Sequence, residues 1–255
     1  MAKAAIPRLL KDLNRRTVLE TIRSAAPISR AEISRRAGIS KPTVSLALQS
    51  LLDAGLVRET APDPGRASYG AVFFEPVPDA ALVLGFDLGG RFLRGAVCDL
   101  SGAVRARHDV EHGASDPDTL LESIHGLRAA LLDAAGLDPA LVDGAVVGVP
   151  GVIEREAGRI HLTHFEALEG HALGPALQDA LGLPVTLEND INLAALGEQW
   201  RGIARGVDDF VFLSVGTGLG AGLVLRGELH RGRHGAAGEL DNALRGAAAD
   251  ADPCA

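Results

Sequence analysis

Residues 29–57, SRAEISRRAGISKPTVSLALQSLLDAGLV, contain the start and stop signals of two consecutive short helices. Ser29 is a candidate N-cap, and the glutamate three residues later completes the capping-box pattern. Gly38 supplies the residue type that a tight turn with positive φ requires. Ser40 is a second candidate N-cap, and Pro42 falls in the first helical turn, where its missing N–H costs little. The stretch therefore predicts two helices joined by a tight turn.

The second of these helices has one apolar face. Val44, Leu48, Leu51 and Leu52 recur at helical spacing and are predicted to be buried, and Gly55 is predicted to end the helix. Two short helices joined at an angle by a glycine-containing turn form the helix-turn-helix plan, whose second helix enters the major groove of DNA. The alternative is an ordinary helical hairpin with a solvated outer face. We favour DNA binding because the caps, the turn and the apolar face agree.

The flanking segments predict a winged version of the same plan. Leu9–Ala25 is predicted to be a helix that ends at Pro27, and Leu56–Thr60 and Ala71–Phe74 are predicted strands. The turn-rich residues 62–65 between these strands predict a wing. The residues predicted to contact DNA, from both helices and the tip of the wing, are Arg35, Arg36, Ser40, Lys41, Pro42, Thr43, Leu46, Gln49, Ser50 and Arg66.

Charge is distributed unevenly along the chain. Residues 1–58 hold 11 lysines and arginines against 4 acids, a net charge of +7, whereas the whole chain carries −8 at pH 7. Residues 59–255 therefore carry −15. A basic N-terminal segment on an acidic body is the pattern that contact with DNA phosphates requires.

Length and composition restrict the class of protein. A chain of 255 residues with 47% hydrophobic and 4% aromatic residues is expected to be globular, with a small module and one larger domain. We find no apolar run long enough to span a bilayer and no secretory signal, so we expect a cytoplasmic protein without a membrane partner. Cys98 and Cys254 are too few and too far apart for a disulfide framework.

Four segments are predicted along the chain. Residues 1–75 form the winged helix-turn-helix domain, residues 76–80 a stiff linker, and residues 241–255 a tail without apolar periodicity. Residues 81–240 alternate strand and helix patterns, which predicts an α/β domain. The strands predicted there are Leu82–Asp87, Leu93–Asp99, Val104–Glu111, Ala145–Val149, Val185–Glu188, Phe210–Val215 and Leu219–Leu225. The predicted helices are Asp116–Ala135, Leu173–Leu181 and Ile191–Trp200.

Four short motifs in the α/β domain carry chemistry. Two glycine turns follow strands, DLGG at 87–90 and GTGLG at 216–220, and glycine lets backbone N–H groups approach a phosphate closely. Each could equally be an ordinary tight turn. Asn189 and Asp190 place an amide and a carboxylate at the end of a buried strand, where they could also be an N-cap pair for the following helix. The fourth motif is GAAGEL at 235–240.

Taken together, these motifs resemble one family, the ROK group of repressors, open reading frames and sugar kinases. The matching segments are LGFDLGG at 84–90, VVGVPG at 146–151, LPVTLENDINLAALGE at 183–198, LSVGTGLGAGLVLRGEL at 213–229 and HGAAGEL at 234–240. The preceding winged helix-turn-helix is similar to that of the repressor branch. The resemblance implies an actin-like, ribonuclease-H-like fold with two lobes and a sugar in the cleft.

The resemblance also assigns site residues. It implies that Asn189, Asp190 and Glu239 bind sugar hydroxyls, and that Asp190 matches the general base of the kinases. A polyol needs such donors and acceptors, because an unmatched buried polar group is costly. The matches to the nucleotide-phosphate turns, which we expect to be vestigial, are Asp87, Gly89, Gly90, Gly216, Thr217, Gly218 and Gly220.

The sequence departs from the family in three places. Arg91 stands where the kinases have threonine or serine after DxGG, a bulky cation in place of a small hydroxyl. Asp241 and Asn242 stand where the family has Gly-His, whose histidine contacts sugar and zinc. The Cys-rich zinc loop is missing, and one cysteine such as Cys254 cannot build a zinc site, so we expect neither a metal nor another cofactor. The chain also stops where the family continues, so we expect an incomplete second lobe.

The sequence thus predicts a transcriptional repressor of carbohydrate-utilisation genes that binds an operator in double-stranded DNA as a homodimer. A sugar is the expected effector, and no catalytic residue is expected. Two alternatives stay open: an ATP-dependent ROK sugar kinase, in which Asp190 would be catalytic, and a truncated fragment without function. His164 and His171 lie where the family often supplies a sugar contact, although solvated loop histidines are the simpler interpretation.

Overall fold

The structure, a computed structural model, describes residues 5–62, 70–113, 116–216 and 218–240. The chain divides into two compact units. The first holds the described residues up to Leu82, together with Cys98–Arg105 and Asp138–Val142. The second holds Val83–Val97, Ala106–Leu137 and the described residues from Asp143 onwards.

Three helices and a small sheet make up most of the first unit. The helices are α1 (Ala5–Ala25), α2 (Arg30–Ala37) and α3 (Lys41–Asp53). The strands are β1 (Ile28–Ser29), β2 (Val57–Thr60) and β3 (Phe73–Pro76), which pair antiparallel in the order β1-β3-β2. The predicted helices and strands of this unit are all present, whereas residues 63–65 of the predicted wing lie outside the described residues. The returning strand begins at Phe73 instead of Ala71, because Phe73 is the residue that pairs with Thr60 at the end of β2.

The apolar faces of these elements meet in one core. Its fully or nearly buried members are Val18, Ile22, Ile28, Ile33, Val44, Ala47, Leu48, Leu51, Val57 and Phe74. Leu52, which the helical spacing predicted to be buried, is only partly buried at the edge of this core. Ala47 takes part instead, because it lies on the same face of α3 as Val44, Leu48 and Leu51. Burial of this face fixes which side of α3 remains outside.

A five-stranded sheet, most of whose residues lie in the second unit, organises that unit. Its strands are β4 (Leu82–Leu88), β5 (Phe92–Asp99), β6 (Val104–Glu111), β7 (Val142–Val149) and β10 (Val185–Asn189), in the order β10-β7-β4-β5-β6. Strands β7 and β10 are parallel, with Ala145 opposite Val185 and Val149 opposite Asn189. The remaining strands are β8 (Val152–Glu154), β9 (Arg159–His161), β11 (Phe210–Val215), β12 (Leu219–Leu225) and β13 (Glu228–Leu229). Of these, β8 and β9 form a hairpin, and β11-β12-β13 form an antiparallel sheet.

The helices of the second unit are α4 (Pro117–Ala135), α5 (Leu173–Leu181) and α6 (Asp190–Arg201). A helix packs closely on the sheet at Gly95 in β5, where an added Cβ would lie 2.8 Å from Leu131 and 2.9 Å from Leu127 of α4. No helix in the described ranges is long and apolar enough to cross a membrane.

The end of β10 and the start of α6 fix the positions of Asn189 and Asp190. Strand β10 extends one residue beyond its predicted end, to Asn189, and α6 begins at Asp190. The polar pair therefore sits at the junction of a buried strand and a helix. The parallel pairing of β10 with β7 brings that junction beside the Pro150-Gly151 turn that follows β7.

Candidate functional site

Hydrogen bonds at the helix ends fix the α2-turn-α3 segment. The Ser29 hydroxyl accepts a 3.4 Å bond from the Glu32 N–H, and Gly38 ends α2 with a φ of 65°. The Ser40 hydroxyl accepts from the Thr43 N–H at 3.5 Å and lies 2.8 Å from the Thr43 hydroxyl. Since each bond satisfies a donor at the start of a helix, the capped helices that the sequence predicted are present.

The outer face of α3 carries several of the residues predicted to contact DNA. Lys41, Pro42, Leu46 and Gln49 are exposed, and Thr43 and Ser50 are half-buried. Leu46 is 73% exposed although the opposite face of the same helix is a packed core. An apolar side chain held outward on such a helix is suited to contact the methyl group of thymine. Arg66 lies outside the described residues.

Three of the predicted DNA contacts, Arg35, Arg36 and Gln49, already have a carboxylate partner on α2 or α3. A buried carboxylate, Glu32, accepts from Arg36 at 2.7 Å and lies 3.7 Å from Arg35. Gln49 donates from Nε2 to Asp53 at 2.8 Å. These pairs were not predicted, although their spacing of three or four residues on a helix is a signal that indicates them. Glu32 partly neutralises the positive charge of both arginines. Their side chains remain largely exposed, so they are still on the surface.

A cavity of about 440 Å³ in the second unit brings together the predicted sugar and phosphate residues. Those that line it are Gly89, Gly90, Asn189, Asp190, Gly216, Gly218, Gly220 and Glu239. Pro150, Gly151, Leu162, Thr163, His164, Ile191 and Ser214 are among the residues that complete the wall. We call this cavity the pocket. Asp87 lines an adjoining cavity together with Asp190, and Thr217 lies outside the described residues.

The amide of Asn189 is engaged in holding the pocket together. Asn189 is the N-cap of α6: its Oδ1 accepts from the Asn192 N–H at 2.9 Å. Its Nδ2 donates to the Gly151 carbonyl at 3.0 Å, which ties the end of β10 to the turn after β7. One Nδ2 hydrogen and one lone pair of Oδ1 remain after these bonds. Asn189 is therefore first a structural residue of the pocket wall, with limited capacity left for a ligand.

Asp190 is the pocket carboxylate with a perturbed titration. Its Oδ1 accepts from the Ile191 N–H at 2.9 Å at the start of α6. Burial raises the pKa of Asp190 above its ordinary value, and the negative charge of Asp87 raises it further, against the opposing effects of the Ile191 bond and of His164. A half-buried carboxyl group whose pKa is raised is a good acceptor of protons or hydrogen bonds from hydroxyls.

Arg94 occupies the DLGG turn. Its Nη1 donates to Asp87 at 3.0 Å, and an added Cβ on Gly89 would lie 3.1 Å from the same nitrogen. Arg91, the cation that the sequence placed at this turn, instead donates to Glu111 at 2.8 Å. The contact of Arg94 with Asp87 was not predicted, because the two residues meet only through the pairing of β4 with β5. Asp87 therefore has a cation partner at this turn.

His112 and Phe165 connect the DLGG turn to another part of the pocket wall. His112 donates from Nε2 to the Gly89 carbonyl at 2.8 Å, and its ring lies 6.2 Å from that of Phe165. Phe165 packs against His164 with the ring centroids 4.3 Å apart. His164 lines the pocket, whereas His171 is an exposed loop residue outside the lining.

Glu239 is held at the pocket by a glycine-rich loop. Gly238 has a φ of 91°, and an added Cβ there would overlap the Ala221 carbonyl oxygen, so only glycine fits. The Gly238 carbonyl accepts from the Ala221 N–H at 2.8 Å, which joins the loop to β12. The pocket therefore presents two carboxylates, Asp190 and Glu239, from different parts of the chain. A pair of carboxylates with nearby hydroxyl and imidazole groups is suited to bind a polyol.

Within the described part of the chain, no group of three or more His, Cys, Asp or Glu side chains is arranged to hold a metal ion. Asp241, Asn242 and Cys254 lie outside that part.

Two family models match the chain. The model of the ROK family matches residues 83–244, and the model of the MarR family matches residues 9–67. The first match covers the second unit with its pocket, and the second covers the helix-turn-helix.

Some known relatives match nearly the whole chain, and others match somewhat less than two thirds of it. The xylose repressor of Caldicellulosiruptor bescii is 33% identical over 234 residues, which are 91% of this chain and 58% of the repressor. The beta-glucoside kinase of Listeria monocytogenes is 33% identical over 159 residues, which are 62% of this chain and 51% of the kinase. The crystal structure of a ROK family transcriptional regulator, a homologue of the E. coli MLC protein, superimposes with a TM-score of 0.72. It is 30% identical and covers 89% of this chain and 57% of its own. The chain thus spans somewhat more than half the length of these relatives.

Proposed function

The chain belongs to the ROK family, and on that basis we propose that it is a DNA-binding transcriptional regulator, a repressor whose second unit binds a sugar. The observation that carries the proposal is the presence on one chain of a capped helix-turn-helix and a pocket with two carboxylates. The comparisons support this choice over a kinase, because the match to a repressor extends over 91% of the chain and the match to a kinase over 62%.

The sugar is proposed to lie in the pocket against Asp190 and Glu239. Each carboxylate can accept hydrogen bonds from two neighbouring hydroxyls of a sugar ring, and His164 and Ser214 add further polar atoms. Because similar proteins include xylose repressors, D-xylose is the first sugar to test. A sugar can change DNA affinity only as far as it binds one conformation of the protein better than another.

On DNA, α3 is proposed to lie in the major groove with Lys41, Thr43 and Gln49 towards the base edges or the phosphates. Arg35 and Arg36 would contact phosphates from α2. A single helix-turn-helix reads a short half-site, so we propose that a homodimer binds a palindromic operator near carbohydrate-utilisation genes.

The proposal is tested by selecting DNA sequences that the 255-residue chain binds, then titrating sugars against the protein and against its complex with the selected DNA. We expect a palindromic consensus and a sugar, D-xylose first, that binds with 1:1 stoichiometry per chain. Recovery of sequence-independent DNA binding together with the absence of sugar binding across a panel of pentoses and hexoses would favour a fragment without function.

A sugar kinase is the second candidate, and the raised pKa of Asp190 in a pocket of this size favours it. The shorter match to a kinase, over 62% of the chain, opposes it. We expect no ATP-dependent phosphorylation of any sugar that binds. Turnover that disappears in Asp190→Asn would establish the kinase instead.

A further inference from the structure

A buried carboxylate next to the pocket has no role in the function proposed so far. Glu188, which directly precedes Asn189 and Asp190, is 6% exposed. A buried charge is costly unless it is paired and its remaining lone pairs are satisfied. The Oε1 atom of Glu188 accepts from the Asn192 side chain and from the Asn189 N–H, each at 3.1 Å.

Arg231 supplies most of the opposite charge. Its Nε lies 2.7 Å and its Nη2 2.6 Å from Oε2 of Glu188. Arg155, on the turn between β8 and β9, reaches the same oxygen only at 3.7 Å. Arg231 therefore makes one short charge-assisted hydrogen bond and one further short ion-pair contact, where Arg155 makes one long contact.

Arg231 belongs to the segment that carries Glu239. We call residues 230–240 the Glu239 loop. The Arg231 carbonyl accepts from the Ala237 N–H at 3.1 Å, which closes the loop on itself. One residue further on, the Gly238 carbonyl accepts from Ala221. The Glu239 loop is thus fixed to β10 through Arg231, and to β12 through Gly238 and through the His230 N–H, which donates to the Leu223 carbonyl at 2.8 Å.

We propose that Arg231 is a positioning residue, which sets the position of Glu239 relative to Asp190 through its ion pair with Glu188. Glu188 lies two residues from Asp190, and Arg231 lies on the Glu239 loop, so one ion pair joins the two parts of the chain that supply the pocket carboxylates. Arg231 is outside the residues that line the pocket, so its effect on a ligand there is indirect. The proposal rests on the proposed function, since it assumes that a sugar binds between these carboxylates.

The test compares Arg231→Met with Arg155→Met in the full 255-residue chain. Both changes remove a guanidinium near the same oxygen of Glu188, but only the first lies on the Glu239 loop. By analogy with the loss of supporting residues at other sites, we expect Arg231→Met to weaken D-xylose binding about 10-fold or more in calorimetry. Arg155→Met is expected to change it less than about twofold, since its contact is long and exposed. Arg231→Lys keeps the positive charge but lacks the planar guanidinium that makes both contacts with Glu188, so its affinity should be intermediate.

A second measurement needs no sugar. The amide protons of Ala221 and Ala237 donate to the Gly238 and Arg231 carbonyls of the Glu239 loop, so their hydrogen exchange should be faster in Arg231→Met and unchanged in Arg155→Met. If the wild-type chain binds no sugar, the proposed function fails, and the exchange rates alone decide whether Arg231 orders the loop. Exchange rates or sugar affinity equal to those of the wild type in Arg231→Met would overturn the positioning role. If Arg231→Met does not fold, Arg231→Lys takes its place in both measurements.

Discussion

Arg94 and Asp87 form an ion pair at the turn between β4 and β5, with Nη1 of the arginine 3.0 Å from Oδ2 of the aspartate. Both side chains are partly exposed, at 43% and 46%. Pairs with that exposure add little to stability, typically below about 1 kcal/mol. Their effect at this turn is instead local. The guanidinium lies beside Gly89, and the negative charge of Asp87 raises the pKa of Asp190.

The first prediction concerns the charge of Asp87. Because that charge is one of the causes of the raised Asp190 pKa, Asp87→Asn should lower the pKa of Asp190. In this variant the pKa of Asp190 should stay above the ordinary value of an aspartate, since burial raises it more than the charge of Asp87 does. A carbon-detected NMR titration of the Asp190 carboxyl group measures this. A pKa that stays the same or rises in Asp87→Asn would show that the two carboxyl groups do not interact.

The second prediction concerns stability and pH. The folded protein holds the Asp190 proton more tightly than the unfolded chain, so stability from this group is complete below the unfolded pKa and falls as pH rises through the folded one. Asp190→Asn removes this loss and can still accept a bond from the Ile191 N–H. In urea unfolding, the variant should therefore gain stability relative to the wild type between acid and neutral pH. A difference in unfolding free energy that is independent of pH would contradict the raised pKa.

The third prediction concerns the two bonds of Asn189. Asn189→Ala removes both the N-cap of α6 and the bond to the Gly151 carbonyl, so the free energy of unfolding should fall by about 2–4 kcal/mol. Asn189→Ser is the matched control, because serine can cap the helix but does not reach Gly151. Its stability should lie between those of the alanine variant and the wild type. Equal losses in the two variants would mean that the cap contributes nothing here.

The fourth prediction concerns base recognition by α3. Gln49→Ala should lose discrimination at one base pair of the operator half-site, by about 1–3 kcal/mol for a good bidentate contact. Asp53→Ala is the control, because it removes the partner of the Gln49 amide and leaves that amide free to bind a base. Sequence selection with each variant measures the preference. An unchanged consensus in Gln49→Ala would exclude this residue from base contact.

The fifth prediction concerns phosphate contact by α2. Arg36→Ala should weaken binding to all DNA sequences alike and reduce the slope of log K against log salt by about 1. Arg16→Ala, which removes the same charge from an ion pair on α1, serves as the comparison. A change in sequence preference in Arg36→Ala, or an unchanged salt slope, would be evidence against a phosphate contact.

Local sequence signals predicted the elements well. The caps at Ser29 and Ser40, the positive φ of Gly38 and the start of α4 after Asp116 are each fixed by residues within a few positions of one another. The predicted strands match the structure to within a few residues for the same reason, since alternation and turn residues are local.

The ion pairs around the pocket could not be predicted in this way. Arg231 lies 43 residues from Glu188, and Arg94 reaches Asp87 through the pairing of two strands. The pairing of each arginine with a carboxylate depends on strand register and on loop conformation. Neither can be predicted from the spacing of residues along the chain. The family resemblance supplied Asn189, Asp190 and Glu239 as ligand residues, but not that the Asn189 amide is already bonded to Gly151 and Asn192.

The most direct test of the account measures operator affinity with and without sugar. Fluorescence anisotropy with the selected operator and the 255-residue chain gives the Kd for DNA, first alone and then with saturating D-xylose or another sugar found by calorimetry. The account predicts that the sugar raises this Kd about 5- to 150-fold, the usual range of coupling between two sites, and that Glu239→Gln reduces the response. An operator Kd that no bound sugar changes would contradict the claim that this chain is a sugar-responsive repressor.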